Sequence, residues 1–241
     1  MRVAVCVPTY NERRNVEPLL RALGDVFSHH RLDGRVLVVD DASPDGTGEE
    51  AERLARELDF VAVLHRPAKE GLGPAYLAGF RLVLAEGADL VVEMDCDLSH
   101  DPTDLPKLVA ATAEADLVLG SRYVAGGGVQ SWSVLRRAVS RFGCLYAKVL
   151  LGIAVHDATS GFRVYRRRVL ETLPLGRVTT RGYAFQIEMV YRALQAGFGV
   201  SEVPIVFSDR EQESSKMGPG IVAEAVVAVP ALRLAALRGR L

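Results

Sequence analysis

The stretch Leu90-Val91-Val92-Glu93-Met94-Asp95-Cys96-Asp97-Leu98-Ser99-His100-Asp101-Pro102 decides how the rest of the chain is read. Leu90-Val91-Val92 is a short apolar run of the kind that fills a buried strand, and it gives way at once to Asp95-Cys96-Asp97. A helix start follows, with Asp101 as N-cap, Pro102 at the first helical position and Asp104 in the first turn. Two carboxylates therefore stand at the carboxyl end of a strand, just before a loop. Residues two apart on extended backbone share a side, so Asp95 and Asp97 are expected to converge on one cation. Carboxylate oxygens suit hard ions, Mg²⁺ or Mn²⁺. Taken alone, Asp-x-Asp serves equally well as a solvated strand end, so the neighbouring chain has to decide.

Working outward, the same pattern recurs. Val3 to Val7 is a continuous apolar run ending at Pro8, and Val36 to Val39 ends in the turn sequence Asp40-Asp41-Ala42-Ser43-Pro44-Asp45-Gly46. Phe60 to Leu64 and Asp116 to Gly120 read as further strands. Between them lie helical patterns: one capped by Asn15 and running to about His29, with Val16, Leu19, Leu20 and Leu23 on one face, and one from Thr47 to Leu58. The loop His65 to Gly73 leads into a third, with Pro74 near its first turn. Alternating strands and helices predict an α/β fold, a mostly parallel sheet flanked by helices. In such sheets ligands bind outside the carboxyl ends of the strands. Pro8-Thr9-Tyr10-Asn11-Glu12, Asp40-Asp41 and Asp95-Cys96-Asp97 each follow a strand, so one shared pocket is expected. No Gly-x-Gly-x-x-Gly follows the first strand and no Gly-Lys-Ser/Thr loop occurs, which argues against dinucleotide and P-loop sites.

Composition bounds the function. A chain of 241 residues can bury a full core, and a net charge of −1 gives no basic field for nucleic acid. The three cysteines are too far apart for a disulfide framework or zinc spacing, which favours a reducing compartment. Met1-Arg2-Val3 enters a strand pattern directly, so no signal peptide is expected there, and the late apolar stretch from Ile221 to Leu237 carries Glu224, Pro230 and Arg233, so it is not read as a membrane span.

Beyond Tyr123 the pattern changes to a flexible Gly126-Gly127-Gly128, then Trp132 and a helix carrying Arg136, Arg137, Arg141 and Lys148. A helix from about Tyr183 to Gln195 and a strand from Val200 to Phe207 come later, before a polar loop with Arg210, Lys216 and Gly218. Arginine forks recognise phosphate bidentately and lysine supplies a point charge, so Arg122, Arg136, Arg163, Arg210 and Lys216 are candidates for phosphate. Arg166-Arg167-Arg168 reads as a solvated helix face, His100 as a support to the carboxylates or a helix-start residue rather than a ligand, and Glu188 as a helical acid that faces either the pocket or the packing around it. Asp41 offers acceptors to a base or ribose but also serves as a turn cap, and Tyr10 can pack on a nucleobase or locally.

These stretches resemble a known family. Val7-Pro8-Thr9-Tyr10-Asn11-Glu12, Val39 to Thr47 and Met94 to His100 are similar to the inverting family 2 glycosyltransferases of GT-A fold, and more narrowly to dolichol- or polyprenol-phosphate mannose synthases. Gly120-Ser121-Arg122-Tyr123, Asp157 to Tyr165, Gly182 to Glu188, Glu202 to Ile205, Asp209-Arg210 and Ser215-Lys216-Met217 continue the likeness in order, and the Ala- and Arg-rich wording is closest to the actinobacterial polyprenol monophosphomannose synthases. The resemblance implies GDP-mannose as donor and a membrane polyprenyl phosphate as acceptor. Pro8, Tyr10, Glu12, Val39 and Asp41 would hold the guanosine part. Asp95, Cys96 and Asp97 would hold the diphosphate, with Asp95 and Asp97 binding Mg²⁺ or Mn²⁺ and Ser99 a further contact. Arg210 and Lys216 would close over the donor phosphates, and Arg122, Arg136 and Ser140 would receive the acceptor phosphate. Asp95, Asp97 and Arg122 would carry catalysis.

An acceptor phosphate has its second pKa near 6, so it is anionic at neutral pH and needs no strong general base. An in-line displacement at the anomeric carbon, with inversion, follows. The expected organisation is a catalytic domain over 1–220 and an amphipathic tail over 221–241 without a transmembrane helix. The helix from Arg136 to Leu151 and the tail suit the interface, on the cytoplasmic face, the tail serving equally well as an ordinary core helix, with a separate membrane-anchor protein as a second means of attachment. The competing readings are another family 2 enzyme such as a polyprenyl-phosphate glucosyltransferase, or a catalytically silent nucleotide-sugar-binding module. A polymerising enzyme would usually carry Gln-x-x-Arg-Trp, which is absent.

Overall fold

The structure, a computed structural model, describes residues 1–208, 219–239 and 241, with the helix path alone over 219–225. In chain order the strands are β1 (Arg2–Thr9), β2 (Asp33–Asp40), β3 (Val61–His65), β4 (Leu90–Glu93), β5 (Leu117–Ser121), β6 (Gly128–Val129), β7 (Arg163–Arg166), β8 (Val200–Pro204) and β9 (Val206–Phe207). The helices are α1 (Arg13–His30), α2 (Thr47–Ala55), α3 (Leu72–Ala85), α4 (Leu105–Ala111), α5 (Val134–Leu151), α6 (Arg167–Thr172), α7 (Tyr183–Gln195) and α8 (Pro219–Leu237).

Seven strands form one sheet in the order β3-β2-β1-β4-β7-β5-β8, parallel throughout except for β7, which runs antiparallel to both β4 and β5. Alternation along the strands explains why both faces are covered. Val3, Val5, Val7, Val36, Val38, Leu90 and Val92 pack with α1, α2 and α4 on one side. Ala4, Cys6, Leu37, Val39 and Val91 pack with α3, α5, α6, α7 and α8 on the other. Such two-faced burial is why these strands read as unbroken apolar runs. On α1, Val16, Leu19, Leu20, Leu23, Val26 and Phe27 are all buried, an i, i+3, i+4, i+7 stripe worth about 1.5–3 kcal/mol for each large side chain.

Four sequence expectations need correction. Asn15 lies inside α1, which starts at Arg13 with Glu12 as N-cap, and the Asn15 amide reaches back to the Glu12 carboxylate at 2.7 Å. The strand β7 was not expected, and Arg166 is its end rather than part of a helix face, whereas Arg167 and Arg168 open α6, with the Arg168 side chain 67 % exposed. Arg166 donates to the carbonyls of Thr112 and Ala115, Arg167 pairs with Glu171 at 2.6 Å, and Arg168 pairs with Asp116. Gly126-Gly127-Gly128 is not loose chain. A Cβ on Gly127 would stand 2.5 Å from the Ser121 carbonyl oxygen, and Gly128 opens the two-stranded ribbon β6–β9, so the turn is packed against the end of β5. Finally, β4 stops at Glu93, so Asp95 and Asp97 do not share a side by strand alternation. A turn presents them instead, with Leu98 at φ 58°.

Candidate active site

Because β2, β1 and β4 are neighbours in the sheet, their carboxyl ends bring three polar loops side by side. Hydrogen bonds stitch the loops together. The Asn11 N–H donates to Ser43 Oγ at 3.1 Å, the Glu12 N–H to Thr47 Oγ1 at 2.9 Å, and the Asp41 N–H to the Thr9 carbonyl at 3.0 Å. Asp40 is fully used in this framework, accepting from Thr9 Oγ1 and from the Ser43 hydroxyl and N–H. Asn11 and Ala42 both take positive φ, 59° and 57°, as expected where strands turn sharply toward a site.

Asp41 is buried and held between the Arg66 guanidinium and the Glu70 N–H, and Arg66 also pairs with Glu70. Lys69 Nζ lies 3.7 Å above the Tyr10 ring. The loop after β3 thus reaches the pocket, which sequence reading did not assign. Pro8 is partly exposed at the end of β1, and Glu12 is 7 % exposed. Val39 is 0 % and Cys96 3 % exposed, each packed into a hydrophobic cluster, so either one can meet a ligand only through its backbone.

The Asp95–Asp97 turn is built on buried supports. Asp97 Oδ1 accepts the Ser99 N–H at 3.0 Å, and His100 Nδ1 accepts the Asp95 N–H at 3.4 Å. Burial pushes the His100 pKa down and Arg122 adds to this, against the pull of Asp95 and Asp97. His100 is thus a structural support, as read from sequence. Beneath it, Tyr165 Oη donates to Glu93 Oε1 at 2.9 Å, and burial raises the Glu93 pKa to about 7, with Arg163 opposing. Arg163 is not available to phosphate. It is fully buried and donates to the carbonyls of Ser160, Gln186 and Ala158, each at 2.7 Å.

Do these residues fit a divalent cation? Ser99 Oγ is buried and has no hydrogen-bond partner among the described residues. A Cβ on Gly161 would come within 3.3 and 3.4 Å of the Asp95 carboxylate oxygens, so only glycine leaves that carboxylate uncrowded. No group of three or more His, Cys, Asp or Glu able to cage a metal occurs among the described residues. Two carboxylates completed by phosphate and water oxygens is the usual way Mg²⁺ is held. The residues fit such a cation.

The acceptor-side candidates gather at the end of β5. Arg122 donates through Nε to Asp157 Oδ2 at 2.7 Å and through Nη2 to Asp157 Oδ1 at 2.6 Å, a bidentate pair sealed by Thr159 Oγ1 at 2.8 Å. Burial pushes the Asp157 carboxyl up, but the charge and hydrogen bonds of Arg122 hold it below the usual range. Glu202 in turn accepts the N–H groups of His156 and Asp157. Arg122 also lies within about 5.5 Å of the Tyr123, Trp132 and Phe207 rings, and Arg136 lies 4.3 Å from Trp132. Ser140 Oγ accepts from Tyr123 Oη at 2.7 Å. Arg122, Arg136 and Ser140 are therefore brought together, whereas Asp157, Tyr123 and Trp132 were missed. Glu188 is structural, paired with Arg192 at 2.6 Å and accepting from Thr180. Arg210 and Lys216 lie outside the described residues.

One ring joins the two poles. Phe207 stands 5.3 Å from His100 under the carboxylate turn and 5.4 Å from Trp132 in the arginine cluster.

Residues 4–173 match glycosyl transferase family 2. The chain belongs to that family. This glycosyltransferase is 47% identical over 245 residues to the undecaprenyl-phosphate mannosyltransferase of Micrococcus luteus, spanning 100% of this chain and 99% of that one. It is 48% identical over 243 residues to the polyprenol monophosphomannose synthase of Mycolicibacterium smegmatis, spanning 100% of this chain and 89% of that one. Among solved structures it is similar to the glucosyl-3-phosphoglycerate synthase of Mycobacterium tuberculosis bound to phosphoglyceric acid, with a TM-score of 0.65 and 20% identity over 99% of this chain and 79% of the other. The form of that enzyme bound to Mn²⁺ and UDP-glucose gives the same TM-score of 0.65, covering 99% of this chain and 78% of the other. The GT-A fold expected from sequence is the fold observed.

Proposed function

We propose that this glycosyltransferase moves mannose from GDP-mannose to a polyprenyl monophosphate with inversion, giving polyprenyl phosphate mannose and GDP. The observation that carries the reading is the pairing of two poles through Phe207: a carboxylate turn fit for a cation and diphosphate, and a cluster of arginines one ring away. Support also comes from the two relatives, whose names specify a mannosyl group and a polyprenyl carrier.

The donor lies over the ends of β2, β1 and β4. Asp41, fixed by Arg66, accepts from the N–H groups of guanine, and Tyr10 packs on the base. Asp95 and Asp97 hold Mg²⁺ or Mn²⁺, which when bound neutralises charge on the departing diphosphate. Arg210 and Lys216 complete the phosphate contacts. On the other side Arg136 and Ser140 hold the acceptor phosphate, and Arg122, locked by Asp157, fixes its angle of approach. The phosphate oxygen is already anionic and attacks without a base, so the protein's task is to bring two anions together in line.

The acceptor's lipid chain explains the outer face of α5. Leu135, Val139, Phe142, Leu145 and Val149 recur at helical spacing and are exposed, Leu135 by 74 %, Phe142 by 70 % and Val149 by 72 %. Val227 and Leu237 of α8, which packs beside α5, are each 71 % exposed. Arg137 and Arg141 are also exposed on α5. An apolar helix face with basic residues and a phosphate site on the same helix suits the headgroup boundary. No helix among the described residues is long and apolar enough to cross a membrane. We place the protein peripherally on the cytoplasmic face, where GDP-mannose is available, with or without an anchor protein.

The test is an initial-rate assay with GDP-mannose, GDP-glucose, UDP-glucose and UDP-mannose against a polyprenyl phosphate in detergent with Mg²⁺. Product from GDP-mannose at a rate at least tenfold above the other donors is expected. A preference for UDP-glucose, or nucleotide binding with no product, would favour the competing readings.

A further inference from the structure

Trp132 is 7 % exposed, yet its indole Nε1–H is buried without a hydrogen-bond partner among the described residues. Buried tryptophan N–H groups are nearly always paired, because an unanswered donor forfeits its bond to water. Two arginines and one aromatic ring pack against this indole. The Arg136 guanidinium lies 4.3 Å from its centroid, Arg122 lies 5.5 Å away, and the Phe207 ring meets it edge-on at 5.4 Å and 72°. Two guanidinium groups thus lie against the ring that carries the open N–H, Arg122 also being paired with Asp157. All are donors, and the ligand that answers several donors of this kind is an oxyanion.

Resting on the reading that Arg136 and Ser140 hold the acceptor phosphate with Arg122 positioning it, we propose that Trp132 Nε1–H is a further hydrogen-bond donor to that phosphate. The indole then has two functions. Its face carries Arg136 by cation–π contact, which sets the guanidinium, and its edge binds a phosphoryl oxygen. Because indole is a donor only and keeps no charge, it orients the phosphate without deepening the electrostatic well that must later release the product.

Trp132 is the single tryptophan of the chain, so intrinsic emission reports on this ring alone. Wild-type protein in detergent is titrated with farnesyl phosphate, with farnesol and with inorganic phosphate. A saturable emission change is expected with farnesyl phosphate, the same change at higher concentration with inorganic phosphate, and none with farnesol. In parallel, W132F keeps an aromatic ring for Arg136 and removes the N–H. Its acceptor KM should rise about tenfold to hundredfold, the range for losing one hydrogen bond to a charged group, while its KM for GDP-mannose and its Tm stay unchanged. An unchanged acceptor KM in W132F overturns the proposal whatever the emission does. An equal response to farnesol also overturns it, by showing that the ring reads the prenyl chain. A wild type that transfers no mannose to any polyprenyl phosphate overturns the functional reading itself, a result separable from the other two.

Discussion

The donor half and the acceptor half of the site are built on opposite plans. On the donor side, three adjacent parallel strands end together, and each delivers a short polar loop to the same edge. Its charges lie within a few residues of their strand ends; the turn itself sets Asp97, which accepts the Ser99 N–H two residues on, and contacts between neighbouring loops set Asp41 through Arg66. On the acceptor side the sheet is interrupted by the antiparallel β7, and the charges are placed by long-range contacts. Arg122 is fixed by Asp157, 35 residues away, and Asp157 by Glu202, 45 further. The lesson is that a nucleotide site comes almost free with a parallel sheet, whereas the acceptor site has to be assembled by tertiary contacts.

That contrast can be broken at defined points. The largest effect is expected at the carboxylate turn. Asp97→Ala removes a group proposed to act at the departing diphosphate, so kcat should fall on the order of a thousandfold or more, with circular dichroism and Tm unchanged. Near-normal turnover would remove the donor pole from the account.

Next comes the clamp. Asp157→Asn leaves the buried Arg122 without its counter-charge, and the unfolding free energy at pH 7 should drop by about 3–5 kcal/mol. The sign with pH follows from the carboxyl being held below its ordinary value in the fold. Its stabilisation is complete above the unfolded-state value of about 4 and is lost as pH falls through the lower folded value. Denaturant titrations of the two proteins should therefore converge in acid and diverge toward neutrality. A gap that widens in acid would contradict the clamp.

A smaller change is expected at the edge of the donor pocket. Arg66→Ala frees Asp41 from its partner and should raise the KM for GDP-mannose by roughly three- to tenfold while leaving the acceptor KM alone. If the acceptor KM moves instead, the two poles are not the independent units described here. The smallest effect falls on the outer helix face. Phe142→Asp should lower partitioning into anionic vesicles by about tenfold, with turnover of a short soluble acceptor retained. Unchanged sedimentation with vesicles would remove α5 from the membrane boundary.

The same contrast explains what could be read from the sequence. The sheet, its helices and the three donor loops were legible because each apolar run ends in a polar turn, a purely local pattern. The placement of Asp95 and Asp97 was anticipated for the wrong reason, since a turn after Glu93 and not strand alternation presents them. β7 was missed because Arg163-Val164-Tyr165-Arg166 is short and charged at both ends, and nothing local shows that Arg163 satisfies three carbonyls inside the core. Asp157 and Trp132 stand in the sequence without a legible role for a related reason. A buried arginine requires an acid, but sequence does not say which acid, and an indole N–H is seen to lack a partner only once its surroundings are built. Arg66 and Lys69 carry a local clue, a basic loop between β3 and α3.

Transfer between two facing anions without a protein base fixes the configuration of the product. Protein, Mg²⁺, GDP-α-mannose and a polyprenyl phosphate are incubated, and the anomeric coupling of the product is read by nuclear magnetic resonance. A β-mannosyl phosphate formed in a single displacement is expected, at a rate flat from about pH 7 upward, where the acceptor is largely ionised. An α-linked product, or a rate that climbs with a further ionisation above that pH, would contradict it.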